Sequence, residues 1–214
     1  MDFVWILGAG HFGALAAKRI SKRNVGKSIL VVDEDPEKLK ELQELPVKTH
    51  EEDALSFLVD NFSDPPEWIV PAVPIHVAFE WLMEELKKNG ISVERIDVPG
   101  EVDDQVPNPY RMTQRTLYAS FADFVCPDNC SEPEEICTKT KEPRKGNLFE
   151  VLAKIEVPGY QPVVLRSHQL APGVGGYTPE AMRKVYDQVT AKPGKYFVAT
   201  SCRCHGVIDA LKWE

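Results

Sequence analysis

Five cysteines carry the softest ligand chemistry in this 214-residue chain. Cys126, Cys130 and Cys137 follow Cys-x3-Cys-x6-Cys spacing, and Cys202 and Cys204 stand just before His205. Thiolates suit iron–sulfur clusters or zinc. The expected site is Cys126, Cys130 and Cys137 with Cys202 or Cys204, leaving one of the five thiols outside it. His205 could replace a cysteine on zinc. The Cys-x2-Cys knuckles of a zinc ribbon are absent, and iron–sulfur ligation is looser in spacing. A [4Fe-4S] cluster therefore ranks slightly ahead of zinc. Free or disulfide-forming thiols are the alternative.

A second constellation lies near the N-terminus. Five apolar residues, Phe3 to Leu7, run straight into Gly8-Ala9-Gly10-His11-Phe12-Gly13. Phe12, Leu15, Ala16 and Ile20 then recur at helical spacing. Strand, Gly-x-Gly-x-x-Gly turn and helix are the context of a dinucleotide-binding fingerprint. Gly8 allows the tight turn, Gly10 lets the backbone approach a pyrophosphate, and Gly13 lets the helix pack on the strand. The helix N-terminus offers free N–H groups to the phosphates. A second strand, 29–32, ends at Asp33, placed to hydrogen-bond the adenosine ribose. A carboxylate there repels a 2′-phosphate, so NAD(H) is favoured over NADP. The expected cofactor contacts are Gly8, Ala9, Gly10, His11, Phe12, Gly13, Asp33 and Val73. His76, after the fourth strand, and the loop 167–177, with Arg166-Ser167-His168 before its glycines, should border the same crevice. For His76 a capping or packing role outweighs a catalytic one, and no catalytic residue is assigned.

These groups need a scaffold, and the pattern supplies one. Strands at 3–7, 29–32, 47–49, 68–70 and 91–96 alternate with helices after Gly10, after Asp35-Pro36, over 52–61 and through Phe79, Leu82, Met83 and Leu86. Such alternation implies a parallel sheet with right-handed crossovers. Residues 1–98 read as a dinucleotide-binding unit of the Rossmann type. Residues 99–147 read as loop and cysteine-rich insert, with partial helix over 110–121. With three prolines and few large apolar residues between Cys126 and Pro143, the insert cannot bury much of a core, so metal bonds would supply its order. Residues 148–214 read as an α/β extension with strands near 162–166 and 196–200, a helix after Thr178 and a final short helix through Leu211. The fold expected is α/β: a doubly wound, mostly parallel sheet, extended by the C-terminal strands and interrupted by the insert.

Residues 1–60 resemble the NAD-binding domain of potassium-uptake regulators, the TrkA-N type. The matching text is Ile6 to Gly13 and Val31-Val32-Asp33-Glu34-Asp35-Pro36-Glu37-Lys38-Leu39. Where that family continues with Gly-Asp-Ala, this chain has Glu52-Asp53-Ala54. Ala72-Val73-Pro74 looks more like small dehydrogenases of the saccharopine-dehydrogenase type. The resemblance implies nucleotide binding and names no reaction.

A net charge of −8 argues against a nucleic-acid partner or an anionic membrane surface. No run approaches the roughly 20 apolar residues of a membrane span, and no basic leader precedes the first strand. A cytoplasmic location is expected, with a small molecule or redox protein as a further partner and a homo-oligomer compatible. Three readings follow. The first is an NAD(H)-binding redox protein with a cysteine-ligated centre near the nicotinamide crevice. The second is a non-catalytic module sensing nucleotide or redox state. The third is a simple NAD-dependent dehydrogenase with structural cysteines.

Overall fold

The computed structural model describes residues 3–24 and 26–214. Four parallel strands form the first sheet, β1 (Val4–Leu7), β2 (Ile29–Asp33), β3 (Lys48–Glu51) and β4 (Trp68–Pro71), in the order β3-β2-β1-β4. Strand β1 takes a central place because all four of its side chains are buried, as a strand covered on both faces requires. Helix α1 (His11–Arg23) follows the glycine turn, then α2 (Pro36–Lys40) and α3 (Ala54–Asn61). Asp35 caps α2 by accepting from the Glu37 N–H, and Asp53 caps α3 by accepting from the Ser56 N–H. Helix α4 (Val77–Lys88) buries Phe79, Leu82, Met83 and Leu86, the i, i+3, i+4, i+7 stripe read from the sequence. Each fully buried aliphatic side chain here, such as Leu58 or Leu82, contributes at most about 2–3 kcal/mol. The α/β class and the mostly parallel, Rossmann-like sheet are as expected.

The additional C-terminal strands are present, but they do not lengthen that sheet. They build a second one from β6 (Tyr110–Thr113), β7 (Thr116–Ser120), β8 (Tyr160–Arg166), β11 (Gly194–Ser201) and β12 (His205–Trp213), ordered β6-β7-β12-β11-β8. The strand expected as fifth in the first sheet, β5 (Val93–Ile96), also belongs here, antiparallel to β12. The cause lies at the edge of β4. A short hairpin of β9 (His168–Ala171) and β10 (Val174–Gly176) packs beside it, and Ile69 and Tyr177 exchange backbone hydrogen bonds of 2.9 and 3.0 Å. Further strands are thereby turned away. Helix α4 and helix α6 (Pro179–Thr190) fill the space between the sheets, where Leu82, Met182, Val185, Leu165 and Val198 share one core. Helix α5 (Leu148–Leu152) covers the far face of the second sheet.

Two expected helices are strands. Residues 110–121 form the β6–β7 hairpin, because Leu117 and Ala119 are buried around exposed Tyr118, a period of two. The chain after His205 is β12, paired with β11 on one side and with β5 and β7 on the other. A central strand buried on both faces reads as a continuous apolar run, easily taken for a helix. No helix among the described residues is long and apolar enough to cross a membrane.

Candidate functional site

The three glycines of the turn differ in what surrounds them. A Cβ on Gly8, which has φ +107°, would lie 2.7 Å from the Ala72 carbonyl oxygen at the end of β4. A Cβ on Gly13 would lie 1.9 Å from the Gly8 carbonyl oxygen, so α1 seats directly on the turn. A Cβ on Gly10 would meet nothing within 4 Å; open space stands where a pyrophosphate would approach. Asp33, buried at the end of β2, accepts from the Ala9 N–H at 2.7 Å and the Asp35 N–H at 2.9 Å. Burial works to raise its pKa, but these two N–H donors and Lys38 outweigh it and hold the carboxyl below its ordinary value. A carboxylate has about four lone-pair sites, so positions remain for ribose hydroxyls.

Val73 faces the turn, and a crevice lined by Phe12, Ala72, Val73, Pro74 and Gly173 to Gly175 runs along the end of β4. It shares Phe12 and Gly173 to Gly175 with a larger cavity of about 570 Å³. That cavity is walled by Cys126, Asp128, Cys130 and Glu132 of the insert, by Ser167, His168 and Gln169 of the β9–β10 hairpin, and by Thr200, Cys202, Cys204 and His205 of the second sheet. The hairpin 167–177 therefore borders the crevice as expected. His76 does not line it. His76 is 8% exposed and lies behind the wall, its Nδ1 2.8 Å from Asp209 Oδ2 and its Nε2 2.8 Å from Thr200 Oγ1.

His11 reaches the insert. Its Nε2 lies 3.1 Å from Asp128 Oδ2 of the insert. Arg19 of α1 donates to the Asp128 carbonyl at 2.6 Å and to the Pro172 carbonyl at 2.5 Å. Gly173 donates its N–H to the Cys130 carbonyl at 2.8 Å. The cysteine insert is thus fastened to the helix that begins the dinucleotide site.

Cys126, Cys130, Cys137 and Cys204 line one pocket of about 230 Å³ with Arg144. Burial, then the charges of Cys130, Cys204 and Cys137, push the Cys126 thiol up, and Arg144 opposes them. Backbone and side-chain hydrogen bonds from Thr140 lower the Cys137 thiol. Burial raises Cys204 while the Arg144 guanidinium acts to lower it. Nε and Nη2 of Arg144 are buried with no hydrogen-bond partner. Cys202 is outside this pocket. Its sulfur accepts from the N–H groups of Cys204 and His205, and burial pushes its thiol up to about 12. Of the two candidates for the fourth position, only Cys204 shares the pocket of the other three. His205 lies beside Cys202 at 3.8 Å and does not line that pocket either. Among the described residues, no three His, Cys, Asp or Glu side chains form a group that could hold one metal ion.

The sequence reading passed over Thr200, Asp209 and Arg144. Asp209 carried a signal, since an acid inside the apolar run Val207-Ile208-Asp209-Ala210-Leu211 must be buried and paired. Thr200 and Arg144 carried none.

A model of the TrkA-N domain matches residues 4–58, which form a dinucleotide-binding Rossmann segment. A second model, described as "Uncharacterized protein, C-terminal domain", matches residues 78–214. An uncharacterized protein of Archaeoglobus fulgidus is 34% identical over 222 residues, covering 97% of this chain and 98% of its own. No solved structure matches the chain. The chain belongs to the family of that uncharacterized C-terminal domain, joined to a TrkA-N segment at its N-terminal end.

Proposed function

We propose that this is an NAD(H)-binding redox protein carrying an iron–sulfur cluster on Cys126, Cys130, Cys137 and Cys204. The observation that carries the reading is the single pocket these four cysteines share with Arg144, whose buried Nε and Nη2 have no partner. Two buried guanidinium N–H groups without partners are costly, and a thiolate-bound cluster of net negative charge offsets that cost. Zinc draws four thiolates to about 2.3 Å from one ion. Iron–sulfur ligation is looser in spacing than that of zinc, and the Cys-x3-Cys-x6-Cys run suits it better. NAD(H) would sit on Gly8 to Gly13 with Asp33 on its ribose, and the crevice along β4 leads from there to the cavity that Cys126, Cys130 and Cys204 also wall.

The test is to purify the protein without oxygen, measure iron, sulfide and zinc per chain, record visible and EPR spectra, and titrate NADH and NADPH by calorimetry. Iron and sulfide in equal amounts with NADH preferred support the reading. Metal-free protein refutes the cluster, and absence of dinucleotide binding refutes the cofactor.

The fastening of the insert to α1 through His11, Arg19 and Asp128 favours a second reading. In it, the state of the cysteines is passed to the dinucleotide site of a regulatory module. NADH affinity would then change when the metal is removed, with no turnover of any substrate.

A further inference from the structure

Thr200, His76 and Asp209 join the two sheets and end at the 570 Å³ cavity. His76 is the N-cap residue of α4, immediately after the first sheet, whereas Thr200 and Asp209 are on β11 and β12. Asp209 is fully buried and also accepts from Thr116 Oγ1 at 2.8 Å, with Arg95 at 3.4 Å. A carboxylate only accepts hydrogen bonds, so His76 Nδ1 donates to Asp209, and in the neutral ring Nε2 is left to accept. The hydrogen of Thr200 must then point to Nε2. The remaining lone pairs of Thr200 Oγ1 are free, and Thr200 is the member of the three that lines the cavity.

We propose that Thr200 is the proton-transfer residue of a carbonyl–alcohol oxidoreductase, with His76 and Asp209 positioning and recharging it, and that its substrate is a neutral, apolar aldehyde, ketone or alcohol. The proposal rests on the dinucleotide part of the reading above and is independent of the cluster. The substrate class comes from the wall. Asp128 and Glu132 are its charged groups, no Lys or Arg lines it among the described residues, and Phe12, Val125, Val174 and Val207 supply apolar surface. Such a wall disfavours an anionic oxo acid and suits an apolar molecule.

A bound nicotinamide supplies or takes the hydride. In the oxidising direction the substrate's C–H bond breaks with its electron pair leaving as hydride, and the C=O bond forms. The substrate's hydroxyl proton passes to Thr200 Oγ1 while the proton of Thr200 passes to His76 Nε2. Asp209 holds the resulting imidazolium. Reduction runs the same transfers backwards, taking one hydride and one proton per carbonyl.

Two measurements test this. First, cyclohexanol, whose O–H can donate to Thr200 Oγ1, is titrated into dinucleotide-free protein while the histidine side chains are followed by ¹⁵N NMR. The Nε2 signal of His76 should move in the wild type and not in Thr200→Val; a purely structural clamp would give no response. Second, NADH oxidation is followed with cyclohexanone, hexanal and pyruvate. The two neutral carbonyls should be consumed in preference to pyruvate. Thr200→Val should lose about 100-fold or more in kcat with its NADH Kd within about twofold, and Thr200→Ser should recover to within about tenfold. A silent His76, a Thr200→Val variant turning over at the wild-type rate, or NADH-bound protein consuming neither neutral carbonyl overturns the proposal. If no NADH binds but His76 still responds to cyclohexanol, the dinucleotide reading fails and the alcohol site stands.

Discussion

The backbone N–H of Ala9 donates to Asp33 Oδ2 at 2.7 Å. The acid expected to hold a ribose therefore also holds the glycine turn in shape before any ligand arrives. Replacing it by alanine leaves the N–H groups of Ala9 and Asp35 without their partner. Asp33→Ala should cost about 2–3 kcal/mol of stability at neutral pH besides weakening NADH binding. The pH dependence has a definite sign. The folded carboxyl lies below its ordinary value of 3.8, so its contribution is complete above that value and is lost as pH falls through the lower folded one. The gap between the denaturant midpoints of the two proteins should be full at pH 7 and narrow as pH falls below 3.8. A gap that stays constant into acid would contradict this linkage.

Gly10 and Gly13 should separate binding from folding. A methyl on Gly10 meets nothing within 4 Å, whereas one on Gly13 would sit 1.9 Å from the Gly8 carbonyl oxygen. Gly10→Ala should fold with an unchanged melting temperature and lose NADH affinity, because the added Cβ enters only the ligand's space. Gly13→Ala should lose about 1–3 kcal/mol or more, since backbone must move to admit it. Thermal melts and NADH titrations of both variants check the contrast. Equal destabilisation would mean that the turn is packed differently from this description.

How much of this could be read beforehand depended on how local the signal was. The turn from Gly8 to Gly13, Asp33 and the stripe of α4 are each written in a short run of sequence, and they lie where the spacing put them. The second sheet depends on pairings such as Trp213 with Val93, far apart in sequence, which no local period records. The strand β12 disguised itself by being buried on both faces. The spacing of the three insert cysteines gives no means of choosing between Cys202 and Cys204, because that depends on the bend after Ser201, where the Cys202 sulfur is turned to the N–H groups of Cys204 and His205. His76 could be placed near the end of β4, while its partners Thr200 and Asp209 come from strands more than 120 residues away.

That bend yields a prediction of its own. Cys204 shares the pocket of Cys126, Cys130 and Cys137, and Cys202 does not. Cys204→Ser should lose iron and sulfide, whereas Cys202→Ser should keep wild-type content. Arg144→Gln should retain the cluster but lower its reduction potential, because removing a positive charge favours the oxidised state. Metal analysis and a redox titration followed by EPR measure both effects. Wild-type iron in Cys204→Ser would exclude the assignment of the fourth ligand.

Gly173 tests whether the insert is held by the helix of the dinucleotide site. Gly173 has φ +67°, and a Cβ on it would stand 1.7 Å from the Asp128 carbonyl oxygen, the same oxygen that accepts from Arg19. Gly173→Ala therefore cannot leave the segment around Asp128 where it is. Gly159 provides the control: its φ is +82°, and a Cβ there meets nothing within 4 Å. Both alanine variants carry the left-handed backbone cost of about 1–2 kcal/mol, and only Gly173→Ala adds a collision with the insert. Trypsin should therefore cut at Lys139, Lys141 and Lys145 of the insert faster in Gly173→Ala than in Gly159→Ala, and the melting temperature should fall further in Gly173→Ala. NADH affinity should fall in Gly173→Ala alone, since the displaced segment carries Asp128 away from His11 at the first turn of α1. Equal cleavage rates in the two variants would show that the insert keeps its place without the Gly173–Asp128 contact.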